Sequence, residues 1–66
     1  MTSDPDIYRA GKLVIDQHGD EAGDFAAGRA DRLLEDGDPQ GAVIWRRIIE
    51  AIEELQRGRR EGESVN

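Results

Sequence analysis

Apolar residues recur along this chain at helical spacing in three blocks, and no stretch shows the strict alternation of a strand. In the first block Ile7, Ala10, Gly11, Val14 and Ile15 share one face, with Tyr8 and Leu13 at its margins and Arg9, Lys12 and Asp16 opposite. This spacing predicts a helix over about 5–18. In the second, Ala22, Phe25, Ala26, Ala30, Leu33 and Leu34 form the apolar face and Asp24, Asp31 and Glu35 the outer one, which predicts a helix over about 21–36. The third block has the widest face. Ile44, Trp45, Ile48, Ile49, Ala51, Ile52 and Leu55 fall within an arc of roughly 160° at the helical rotation per residue. It predicts a helix over about 39–57, with Glu53 and Arg57 in the favourable i,i+4 order.

The links between blocks carry stop and start signals. Asp4-Pro5 opens the first helix, since Pro suits the first turn and Asp can cap free N–H groups. At His18-Gly19-Asp20, Gly19 takes the left-handed conformation that ends one helix and Asp20 caps the next. Gly37-Asp38-Pro39 repeats the device. Gly58 ends the third helix. Gly11 costs up to about 1 kcal/mol inside a helix, and admits a second helix at close range. Gly23 and Gly28 weaken the second helix. The expected fold is all-α, a small three-helix bundle. Residues 5–57 form its single domain, 1–4 fray, and 58–66 (GRREGESVN) are a disordered charged tail.

Size changes the reading of the third block. A chain of 66 residues buries only about 60% of its unfolded surface, and with no cysteine it has no disulfide to staple it. Small scaffolds of this kind lean on oligomerisation. Two slight, alanine-rich helices packed on the Ile44–Ile48–Leu55 side leave part of the broad face uncovered. Completion by dimerisation is therefore expected, with Trp45, Ile49, Ile52 and Ala42 as the interface. Trp45 sits at one edge of the broad face, beside Ile49 and Ala42, where plain core packing and an interface role are both open; Trp is enriched among binding hot spots, which directs attention there first.

Charge narrows the partners. The net charge is −6, and residues 20–37 alone hold six acids against two arginines. Net acidity disfavours nucleic acid and anionic membrane surfaces, which recruit Lys and Arg. No apolar run approaches the roughly 20 residues of a membrane span, and the N-terminus MTSDPD does not read as a signal peptide. A cytoplasmic location is the expectation.

Candidate chemistry is sparse. His18, the only histidine, stands near Asp20, Glu21 and Asp24 at a corner. Packing against the end of the first helix is the favoured reading over a base or ligand, because one His without Cys does not make a zinc site. The acids of the second helix lack the Glu-x-x-His pairs of a di-metal carboxylate site and read as a solvated face, or as a patch for a basic partner. Arg46, Arg47, Arg57, Arg59 and Arg60 invite a helix-turn-helix reading, but Glu50, Glu53 and Glu54 share their face and repel phosphate. No catalytic, cofactor or metal residue is assigned. The expected function is a non-enzymatic module that self-associates or docks a protein. The alternative is a small helix-turn-helix-like DNA-binding or regulatory protein.

The spaced residues Ile15-Asp16-Gln17-His18-Gly19-Asp20, Arg29-Ala30, Leu33-Leu34, Gly37-Asp38, Gly41, Trp45-Arg46-Arg47-Ile48 and Ala51-Ile52 together resemble a family of short bacterial all-helical proteins of unknown function. The likeness covers about residues 7–56, and its most specific parts are the His18-Gly19 corner and the Gly37-Asp38…Gly41…Trp45 segment. It implies a small helical cytosolic protein and no activity. The same segment is locally similar to the second half of a tetratricopeptide-type helix hairpin, without the repeats that build such arrays.

Overall fold

A computed structural model describes residues 4–65 of the chain, with side chains described over 4–57. Every element is helical. Helix α1 spans Asp4–His18, a 3-10 turn spans Gly19–Glu21, α2 spans Ala22–Glu35, and α3 spans Pro39–Val65. The three predicted helices are all present, and no strand occurs among the described residues. Of residues 1–4, assigned to a frayed N-terminus, Asp4 is already the first residue of α1, and 1–3 lie outside the described residues.

Two boundaries depart from expectation, and each has a local cause. The first corner is a turn of 3-10 helix. Its leading residue Gly19 has φ 59, as anticipated, but neither this turn nor α2 has a side-chain cap, so Asp20 does not close the N-terminus of α2. Helix α3 does not end near Arg57. It continues through Gly58 to Val65, since a glycine costs a helix about 1 kcal/mol but ends it only by leaving helical φ. The side chains of the expected disordered tail, 58–66, lie outside the described residues.

The second corner follows its sequence closely. The N–H of Asp38 donates to the Leu33 carbonyl at 2.8 Å and that of Gly37 to the Leu34 carbonyl at 3.1 Å. This is the paired pattern of a Schellman end, with Gly37 supplying the left-handed residue at φ 82. Asp38 then caps α3 through its carboxylate, which accepts the Gly41 N–H at 3.0 Å.

Helix α3 is the central member and packs against both α1 and α2, which touch each other least. Tyr8 of α1 reaches Glu54, and Gly19 at the end of α1 meets Gln56, so α1 and α3 run side by side in one direction. Leu33 meets Gly41 while Phe25 meets Trp45, so α2 runs the opposite way. The core is small and built largely from alanine and isoleucine: Ile7, Val14 and Ile15 from α1, Ala22, Ala26 and Ala30 from α2, Ala42, Ile48, Ala51 and Ile52 from α3. Gly11 marks a close approach. A Cβ there would stand 3.3 Å from Ala51 Cβ, so the missing side chain is what lets α1 lie against α3, as its position in the apolar face implied.

Candidate functional site

The side chains most unlike plain packing gather where α2 crosses α3. Phe25 and Arg29 stand one turn apart on one flank of α2, and both meet Trp45 in the second turn of α3. The Phe25 and Trp45 rings lie edge to face, 6.1 Å between centroids and 73° between planes. The Arg29 guanidinium stands 5.7 Å from the indole centroid. On its other side Phe25 stacks with His18, at 4.0 Å and 18°. A strip of four conjugated groups, His18–Phe25–Trp45–Arg29, thus joins the end of α1 to α2 and to the second turn of α3. Aromatic pairs of this geometry contribute about 0.5–1.5 kcal/mol beyond burial, and an exposed cation–π contact about 0.5–1 kcal/mol. The strip is open to solvent: Phe25 is 38% exposed, and Trp45 and His18 are half-buried.

The predicted interface residues divide. Trp45 and Ile49 are half-buried and packed against the core. Ile52 at 0% and Ala42 at 2% are enclosed by the chain itself and have no surface left for a partner. The predicted packing side is also shifted: Ile44 is 36% exposed, while Ile48 at 5% lies in the core. The reason is that α1 and α2 grip α3 from two sides. Gly11 lets α1 settle on Ala51 and Ile52, and the alanines of α2 let it close on the Ala42–Trp45 side, so two slight helices cover more of the broad arc than their size implied. The exposed apolar surface lies elsewhere, on Tyr8, Leu13, Phe25, Leu34, Val43 and Ile44. Phe25 and Leu34, expected on the buried face of α2, are among them.

A groove of about 490 Å³ opens on the other side of α3, between its first half and the start of α1. Ile7, Tyr8 and Val43 give it apolar lining, and Asp4, Arg46, Arg47 and Glu50 bring charge of both signs. Beyond it the Tyr8 hydroxyl donates to Glu54 Oε2 at 2.5 Å. That bond needs the neutral phenol, so it holds the Tyr8 pKa above the ordinary tyrosine value, with slight burial and the negative charges of Glu54 and Asp4 adding to the effect. At the first corner the Gln56 amide donates to the Gly19 carbonyl at 3.2 Å. Neither contact has a local sequence signal, because the partners lie 46 and 37 positions apart.

The remaining candidates are placed as follows. His18 turns its ring to Phe25, in keeping with the packing reading. Among the described residues no group of three or more His, Asp or Glu side chains is placed to hold a metal ion. No helix there is long and apolar enough to cross a membrane. The Glu53–Arg57 pair expected on α3 is not formed among the described residues; the recorded ion pair, Arg32–Asp36 at 4.0 Å, lies on exposed α2 surface.

Against known proteins, a family model described as "Family of unknown function (DUF6961)" matches residues 7–60. Neither a curated protein nor a solved structure matches the chain. The matched span takes in the His18-Gly19 corner and the Gly37-Asp38…Gly41…Trp45 segment.

Proposed function

The chain belongs to this family of unknown function, and we propose that it is a non-enzymatic helical module of the bacterial cytoplasm that docks a protein partner through the surface around Trp45. One observation carries the reading: a half-buried indole fixed between the Phe25 edge and the Arg29 guanidinium, on a face that stays open. Aromatic residues and Arg are the types enriched at interface centres, and a rigid pre-set anchor loses little entropy on binding. Ile49 extends the patch, whereas Ile52 and Ala42 support it from beneath.

The test is photo-crosslinking in the native cell. A photoreactive residue in place of Arg29 is compared with one in place of Arg9, which stands on the outer face of α1. A discrete adduct from position 29 and none from position 9 is the expected result. No adduct at either position, or the same ladder from both, would overturn the reading.

A further inference from the structure

Over residues 46–53 the solvent face of α3 is divided by charge, with the exposed Arg57 beyond that stretch. Arg46 and Arg47 come first along the helix and Glu50 and Glu53 follow, and all four are exposed. Among the described residues none of them enters an ion pair within the chain. Their order serves the helix itself only weakly, since Arg46 before Glu50 is the less favourable orientation of an i,i+4 pair. The arrangement is self-complementary in another way. A two-fold axis across this strip lays two α3 helices antiparallel, so that the positive half of each meets the negative half of the other, twice over. The groove alongside supplies apolar contact, with Val43 53% and Tyr8 39% exposed.

We propose that a second copy of this chain docks antiparallel on the solvent face of α3, with Arg46 and Arg47 of each copy opposite Glu50 and Glu53 of the other. Val43 and the groove lining provide the apolar part of the contact, and the charges set its register and direction. A closed pair satisfies both charged stretches at once, which favours a dimer over an open chain. This surface lies across α3 from Trp45. It goes beyond the docking reading above, and each stands or falls without the other.

The experiment is sedimentation equilibrium of the full chain and two charge-reversed variants. The double variant Arg46→Glu with Arg47→Glu places acid against acid in a like pair, and Glu50→Arg with Glu53→Arg places base against base. The wild-type chain is expected to dimerise, with affinity falling about tenfold or more from low to high salt. Each variant alone is expected to be monomeric with unchanged helix content, and an equimolar mixture of the two to recover the dimer. Trp45→Ala is expected to leave the dimer intact. A wild-type monomer at all concentrations, variants that dimerise like the wild type, or a mixture that stays monomeric would each overturn the proposal. If a double variant loses helix content, the single reversals Arg47→Glu and Glu53→Arg carry the same mixing test at lower amplitude.

Discussion

The Asp38 carboxylate occupies the place where a side chain at Gly41 would begin: a Cβ on Gly41 would stand 2.7 Å from Asp38 Oδ2. The same carboxylate holds the Gly41 N–H. Cap and glycine are therefore one device, with Leu33 Cδ1 closing its third side at 3.3 Å. The device fixes where α3 leaves the corner, and so where Trp45, one turn on, meets α2.

Removing the cap by Asp38→Ala is expected to cost about 1 kcal/mol. Gly41→Ala is expected to destabilise as well, although alanine is the better helix former, because its Cβ displaces the capping carboxylate. The two changes should not add. With Asp38 already truncated, Gly41→Ala should cost less than it does alone, and a thermal or urea double-mutant cycle reads the difference directly. Strict additivity would mean that the carboxylate and the missing Cβ are unrelated.

The glycines inside helices should split by their surroundings. Gly28 has nothing within 4 Å of a built Cβ, so Gly28→Ala should stabilise by about 0.5–1 kcal/mol through helix propensity alone. Gly11 faces Ala51 Cβ at 3.3 Å, so Gly11→Ala should bring no such gain. Gly11→Leu should cost about 1–3 kcal/mol by forcing α1 off α3. Equal gains from alanine at both positions would show that α1 and α3 are not closely apposed.

The three helices and the two left-handed glycines between them were legible because their signals are local, whereas the Asp20 cap and an end of α3 at Gly58 were expected and are not found. Gly19 and Gly37 sit where the chain must turn left-handed, and Asp38 lies three residues before the N–H it caps. The faces of α1 and α3 were legible as a set of positions but not as an assignment to neighbours. Apolar spacing gives the width of the arc on α3; how two partners share it depends on how near they come, which Gly11 and the alanines of α2 decide. That is why Ile52 and Ala42 were placed at an interface and are found enclosed. Phe25 was placed in the core by periodicity, but it lies at the surface, stacked on His18 and edge to face with Trp45. Tyr8–Glu54 and Gln56–Gly19 join positions that no local pattern connects.

Tyr8 is the only tyrosine, so its ionisation can be followed by tyrosinate absorbance without ambiguity. Its bond to Glu54 favours the neutral phenol, which raises the folded-state pKa above the unfolded one. The stability it contributes is fully present below about pH 10, the unfolded tyrosine value, and is lost as pH rises through the raised folded value. Titration should therefore run above that of the urea-unfolded chain, and Glu54→Gln should bring it back toward the ordinary range. A folded-state titration at or below the unfolded one would remove the hydrogen bond from the account.

Two isoleucines eight positions apart on α3 test how that helix is turned. Spacing alone placed Ile44 toward the other helices and Ile52 toward a partner, whereas the structure leaves Ile44 36% exposed and Ile52 at 0%. The side chains are identical, so the difference between their truncations reports burial and little else. Ile52→Ala removes methyl and methylene groups from a closed site and leaves a cavity, at a cost of about 2–5 kcal/mol. A domain of this size commands a total of only about 3–10 kcal/mol, so the variant should lose a large share of its stability. Ile44→Ala removes groups that already meet water, and should cost no more than about 1 kcal/mol. Urea unfolding followed by far-ultraviolet circular dichroism measures both. The reverse order, with Ile44→Ala the more damaging, would mean that α3 is rotated about its axis in solution, and would return Ile52 to the surface where a partner could reach it.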